Sequence, residues 1–324
     1  MVLAPKNLTE RQRYEINRFV QRGGNLFVAV QNFEFDYNPS RLGGFDISAR
    51  PQETGIDPLL GAYGMRVGGG VFMDRSLETL SIPRTQNLGG LRVQMAEPVQ
   101  VPIQIRVAGD QFNSDSAISD RLGEVLYLWG GRLVPDEVAL ESAGVEYMPL
   151  FTSSEEAWEV ETMGGPLGPR DFAFDPAVAH SRAPLAAMLS GKFPNPYSSG
   201  PIPSWGPSDS TVAGEVESIE ASEAVIVVTG CAKMFEDSYL QAGGYNNALF
   251  LLNSIDGITM GNDLIQVRAK TVTRRVIDEV SEEKKLFWRG LITLVVPALV
   301  AVFGILRSVR RRREQATWIG SHAT

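Results

Sequence analysis

NLFVAV, residues 25–30, is an apolar run of strand length with no alternation of polar residues. Such a run suits a strand covered on both faces, which is the habit of parallel sheets in α/β proteins. The residues before it read as its partner helix. Thr9 stands where an N-cap belongs, and Gln12 follows three residues later as in a capping box. Ile16, Phe19 and Val20 form an apolar stripe, and Gly23–Gly24 close the helix. VLAP at residues 2–5 resembles the end of an earlier strand. A second run of the same kind, AVIVVTG at 224–230, is the clearest buried strand in the chain. Together they predict an α/β fold with a layered, mostly parallel sheet.

Between these anchors the pattern is less regular. Residues 32–50 are rich in turn formers, and a short helical patch around Leu59–Tyr63 precedes a glycine turn into Val71–Met73. Strand candidates lie within 91–107, at Glu124–Trp129 and at Tyr147–Phe151. Residues 164–214 are dense in Pro, Gly and Ser and read as long surface loops with one helical island at Ala183–Leu189. A helix around Asn246–Ile258 and a last strand, LIQVRA, complete a body spanning 1–270.

The C-terminus differs in kind. Residues 290–306 are seventeen in number and uncharged, and Arg307 and Arg310–Arg313 follow. This is the lower limit for a helix crossing a hydrocarbon core. Residues 286–324 carry a net charge of +5 against −8 for the whole chain, leaving −13 for residues 1–285. By the positive-inside rule this predicts a single-pass bacterial inner-membrane protein. Its body would be periplasmic, with a juxtamembrane helix at 271–289, a span in the lipid bilayer at 290–306 and a cytoplasmic basic tail at 307–324. Positions Gly290, Pro297, Ala301 and Gly304 fall near one face of that helix and would let another helix approach closely. The N-terminal residues lack the pattern of a signal peptide, so an upstream portion or a paired protein is expected. An acidic body also argues against a nucleic-acid partner.

Taken in order, these pieces resemble the GldG-like auxiliary component of ABC transport systems, first described in gliding motility. LTERQRYEINRFVQRGGNLFVAV looks like its helix, glycine turn and strand, and GIDPLLGAYGMRVGGGVFMD like its following segment ending in Asp. PLFTSSEEAW and APLAAMLSGKFPNPY sit where that family has comparable runs. VIVVTGCAKMF, NNALFLLNSIDGIT and DLIQVRAK resemble its final strand, helix and strand. The resemblance implies a flavodoxin- or amidotransferase-like fold without a working active site. It also implies an ABC permease and ATPase as partners. The family favours an Asp-Ser-type turn after the last long strand, where this chain has Gly230-Cys231-Ala232-Lys233.

The residues themselves offer little chemistry. Cys231 follows a strand, but it is not the centre of a G-x-C-x-G elbow, and a nucleophilic thiol needs an imidazole in reach. The chain has two histidines, His180 in a Pro-rich loop and His322 beyond the apolar run. A buried thiol is the expectation. One Cys and no H-E-x-x-H predict no zinc centre, and Asp36, Asp46 and Asp57 do not match a calcium loop. Gly68–Gly70 lacks nucleotide-binding spacing and reads as a tight turn, and no Walker A sequence occurs. No cofactor is expected. Phe172, Phe174, Phe193, Tyr197 and Trp205 place aromatics on a Pro-rich segment, where they either pack down on the domain or form a partner surface. The expected function is a non-catalytic, membrane-anchored periplasmic scaffolding subunit of an ABC transporter. The alternatives are a solute- or glycan-binding module and an amidotransferase-like enzyme.

Overall fold

A computed structural model describes residues 1–260 except 41–43, 89–90, 181, 200, 206–219 and 242, together with 303 and 307; the side chains of 84–88, 91 and 260 are also outside the description. The chain divides into two units, Met1–Val272 and Thr273–Thr324.

The first unit opens with β1 (Val2–Leu3), α1 (Glu10–Gln21) and β2 (Leu26–Ala29). The capping box read from the sequence is present: Gln12 N–H donates to Thr9 Oγ1 at 3.3 Å, and Thr9 N–H donates to Gln12 Oε1 at 2.8 Å. Phe19 departs from the expected stripe and stands 53% exposed, while Tyr14 and Val20 are buried. A run of short elements follows: β3 (Phe33–Pro39), β4 (Phe45–Pro51), α2 (Asp57–Ala62), β5 (Met65–Val67) and β6 (Val71–Asp74). Next come two long strands, β7 (Leu77–Leu88) and β8 (Leu91–Val107), then β9 (Val125–Leu128), β10 (Leu133–Pro135) and α3 (Glu137–Ala143). The described part closes with β11 (Glu146–Thr152), β12 (Ala157–Val160), β13 (Gly165–Leu167), β14 (Pro184–Gly191), β15 (Ala224–Thr229), α4 (Asp237–Leu240) and α5 (Asn247–Met260).

The central sheet has the order β1-β2-β15-β14-β11. β1, β2 and β15 run parallel, and β14 and β11 are antiparallel to their neighbours. Two smaller pairs, β10-β5 and β12-β6, and two three-stranded sheets, β13-β4-β3 and β7-β8-β9, hold the other strands. Among the described residues two of the ten strand pairings are parallel. The expectation of a layered, mostly parallel, flavodoxin-like sheet is therefore wrong, and small antiparallel and mixed sheets dominate. The physical reason is visible in β14. Its core residues Leu185, Ala186, Ala187 and Leu189 are fully buried, as apolar as a parallel strand would be, yet it runs antiparallel to β15. A continuous apolar run reports burial on two faces and says nothing of direction. Reading Ala183–Leu189 as a helical island also fails, because a short apolar run fits a buried strand as well as a buried helix segment.

Alternation along the central strands separates two cores. Leu26, Val28, Ile226 and Val228 face a cluster with α1 and α2, and Phe27, Ala29 and Val227 face one with Phe235 and Phe250. A third cluster gathers β3, β4, β6 and β12 around Phe35, Met73, Ile103 and Trp158.

The expected single-pass membrane protein also needs correction. Among the described residues no helix is long and apolar enough to cross a membrane. The segments 271–289 and 290–306 and the face of Gly290, Pro297, Ala301 and Gly304 lie outside the described residues, as does the tail 307–324 apart from Arg307. A seventeen-residue run at the short limit for a span gives a hydropathy pattern and not a placement. The inner-membrane topology drawn from it is withdrawn.

Candidate functional site

Open α/β sheets place their chemistry beyond the carboxyl ends of parallel strands, where the strand order reverses. In this sheet β2 and β15 run parallel side by side, and one side chain just after β2 joins their ends. Gln31, 4% exposed, donates through Nε2 to Phe33 O at 2.8 Å and Trp129 O at 2.7 Å. Its Oε1 accepts from Ala232 N and Lys233 N, both at 2.9 Å. These four bonds use both donors and both acceptor sites of a primary amide. The two amides after Cys231, which an elbow-type enzyme would offer to an oxyanion, are thus taken up inside the protein.

The thiol is equally enclosed. Cys231 is fully buried, its Sγ donates to Leu128 O at 3.1 Å, and burial pushes its pKa up to about 12. Nucleophilic cysteines are shifted the other way. Gly230, just before it, is required by close approach: a Cβ there would lie 2.1 Å from the carbonyl oxygen of Gly131.

An aromatic and cationic cluster covers this edge. Trp129 holds φ +61°, a strained setting for a bulky residue. Its Nε1 donates to Tyr37 Oη at 3.1 Å, the two rings stack at 5.9 Å, and Lys233 Nζ sits 4.8 Å from the indole centroid. Lys233 also pairs with Glu236 at 2.7 Å and Glu34 at 3.6 Å. Burial raises the Tyr37 phenol to about 12, so it is neutral and able to donate.

A concave feature elsewhere is a groove along the seam between α2–β5 and the third core cluster. Two adjoining cavities of about 560 and 460 Å³ share Gly69, Thr162 and Met163 as lining. Met163 stands on the shared rim, 97% exposed. One cavity adds Arg132 and Glu159, the other Asn32, Asp57 and Arg66. Glu159 organises the first: its Oε1 accepts from Gly70 N at 2.8 Å and its Oε2 from Arg132 Nε at 2.6 Å. The glycine turn of 68–70 exists for this carboxylate. A Cβ on Gly68 or Gly70 would come within 2.5 or 2.6 Å of the Glu159 side chain.

His180 lies here rather than near the thiol, with Nε2 4.0 Å from Glu159 Oε2. The five aromatics of the Pro-rich segment are dispersed. Phe193 is buried against Tyr63, Tyr197 meets Tyr14 edge-on, and Phe174 meets Trp158 edge-on. Phe172 packs on the third cluster, and Trp205, 57% exposed, carries Arg11 over its ring at 5.2 Å. Asp36 pairs with Arg50 and Asp57 accepts from Thr54 Oγ1 at 2.6 Å; among the described residues no group of three or more acidic, His or Cys side chains could hold a metal. Gln31, Trp129, Arg132 and Glu159 were missed from sequence. For Gln31 the signal was available, a polar residue following directly on the apolar run of 25–30.

The site is a set of strand ends joined by the side chain of Gln31 on a mixed-sheet α/β domain. Residues 1–254 match the family of auxiliary components described as an ABC-type uncharacterized transport system, and the chain belongs to that family. The GldG-like resemblance read from the sequence agrees with it. The chain is 19% identical over 318 residues to an uncharacterized protein of Borreliella burgdorferi, covering 96% of this chain and 56% of that protein. It thus spans about half the length of that relative. No solved structure matches it.

Proposed function

We propose that this auxiliary component is a non-catalytic scaffold that binds the permease and ATPase subunits of its transporter. The observation that carries the reading is the enclosed turn after β15: Gln31 occupies the amides of Ala232 and Lys233, and the Cys231 thiol is held neutral out of contact with solvent. Trp205 is the exposed aromatic anchor of a partner surface, supported by its 57% exposure beside the cation of Arg11. The test uses cells in which transport depends on this protein. Cys231→Ala and His180→Ala should retain wild-type transport, and Trp205→Ala should weaken co-purification with the ATPase at unchanged protein level. Loss of transport in either of the first two variants, with protein level unchanged, would return the enzyme reading. A solute-binding role is the second reading, favoured by the polar groove around Glu159 and Arg66.

A further inference from the structure

Two arginines on the groove around Glu159 carry donors that the fold does not use. β5 and β10 pair antiparallel, with Val67 opposite Leu133 and Arg66 opposite Val134. Val67 and Leu133 are buried in the second core cluster. Alternation along the strand therefore sends Arg66 to the other side. Gly68 N–H donates to Arg132 O at 2.8 Å just past the last rung. Arg132 thus stands diagonal to Arg66 on that same side, within reach of its long side chain. Both line the groove, one in each cavity.

Arg132 gives its Nε to Glu159 Oε2, and Glu159, with a side chain 9% exposed, is fixed in turn by Gly70 N–H. That bond holds the guanidinium plane still, while its two Nη groups donate to none of the described residues. The Arg66 side chain makes no hydrogen bond or ion pair with any described residue. Acids stand beside both. Glu161, exposed, lines the cavity of Arg132, and Asp57, with Oδ1 left over from its bond to Thr54, lines that of Arg66. The floor between them is bare: Gly69 belongs to both cavities, and a Cβ there would meet nothing within 4 Å. Phe33, Pro51 and Met163 give the cavity of Arg66 apolar walls.

We propose that the groove binds an amino acid or short peptide as a zwitterion. Its carboxylate lies across Gly69 on Arg66 and the free Nη groups of Arg132, its ammonium turns to Glu161, and an apolar side chain sits between Phe33, Pro51 and Met163. The inference deepens the second reading of the groove, solute binding, and does not rest on the scaffold. Charge selects the ligand class. The lining sets two guanidiniums, Arg66 and Arg132, against three carboxylates, Asp57, Glu159 and Glu161. A dianion such as phosphate would meet all three carboxylates, and a bare cation would meet both guanidiniums. A ligand bearing both signs finds an opposite charge at each end. Guanidinium matches carboxylate through paired N–H bonds, and Glu159 has already oriented one of the two. Size agrees, since cavities of about 560 and 460 Å³ are those of small-molecule sites.

The full chain is titrated by calorimetry with L-leucine, a leucine-ended tripeptide, N-acetyl-leucine, leucine amide and inorganic phosphate. Leucine or the tripeptide should bind, and the tighter of the two tells a free amino acid from a peptide. N-acetyl-leucine lacks the ammonium and leucine amide the carboxylate, so each should bind about tenfold more weakly or worse. Arg66→Ala breaks no side-chain bond among the described residues and should weaken binding by about tenfold or more. Gly69→Leu fills the open floor and should abolish binding. Both variants should keep the wild-type thermal melt and still co-purify with the ATPase, so failure of the groove and failure of the scaffold are read separately. No heat from leucine or the tripeptide at millimolar concentration, equal binding of N-acetyl-leucine or leucine amide, displacement by phosphate, or wild-type affinity in Arg66→Ala would each overturn the proposal. So would loss of co-purification in Arg66→Ala, which would make the groove a subunit interface.

Discussion

Replacing Gln31 with Ala tests whether one amide closes the end of the central sheet. The truncation removes four hydrogen bonds at once, leaving Phe33 O, Trp129 O, Ala232 N and Lys233 N without their partner. The bonds to Phe33 O and Ala232 N are buried, and those to Trp129 O and Lys233 N are part-buried. A buried group left unmade costs about 1–3 kcal/mol, while the part-buried pair can turn to water. The net expectation is a loss of about 2–4 kcal/mol in urea unfolding, followed by the fluorescence of the adjacent Trp129. Gln31→Glu sharpens the reasoning. An ionised carboxylate would still accept from the two amides but would face two carbonyl oxygens, so the protonated form is favoured and the folded-state pKa is raised. Its stabilising form is fully present below the unfolded value of about 4.3 and is lost as pH rises through the folded value. The Glu variant should therefore gain stability relative to wild type on acidification. A loss below about 1 kcal/mol for Gln31→Ala would refute the bonding described here. A pH-independent difference for Gln31→Glu would refute it as well.

Two further outcomes follow from the same edge of the sheet. The Cys231 thiol, held at about 12 by burial, should resist iodoacetamide at pH 8 in the folded protein and react once urea unfolds it. Because its folded pKa is raised above the ordinary value of 9.0, its contribution to stability is complete below pH 9 and is lost as pH climbs toward 12; rapid labelling of the native protein at pH 8 would contradict this. Gly230→Ala should destabilise the protein by about 3 kcal/mol or more, since the new Cβ meets the Gly131 carbonyl at 2.1 Å and the Tyr127 hydroxyl at 2.8 Å, neither of which can swing aside. Gly61→Ala in α2, where a Cβ meets nothing within 4 Å, is the matched control and should be neutral or slightly stabilising in the same thermal melt.

What the sequence made legible was local. The Thr9–Gln12 cap and the end of α1 at Gly23–Gly24 arise from contacts within a few residues, which a single sequence displays. Strand direction did not show, because burial on both faces is common to parallel β2 and antiparallel β14. The aromatics of 172–205 illustrate the same limit. Their abundance in a Pro-rich segment was plain, but whether each packs depends on partners as remote as Tyr63 for Phe193 and Tyr14 for Tyr197. The site was hidden for a related reason. Gln31 joins residues about a hundred and two hundred positions away, so its role exists only once the ends of β2, β9 and β15 are brought together from two sheets. Cys231 could be read as buried from the apolar run leading into it, yet the contacts that enclose its turn come from Gln31 and Leu128, far along the chain. When a residue beyond a neighbouring strand supplies an amide that satisfies the turn, the turn becomes a joint between strands.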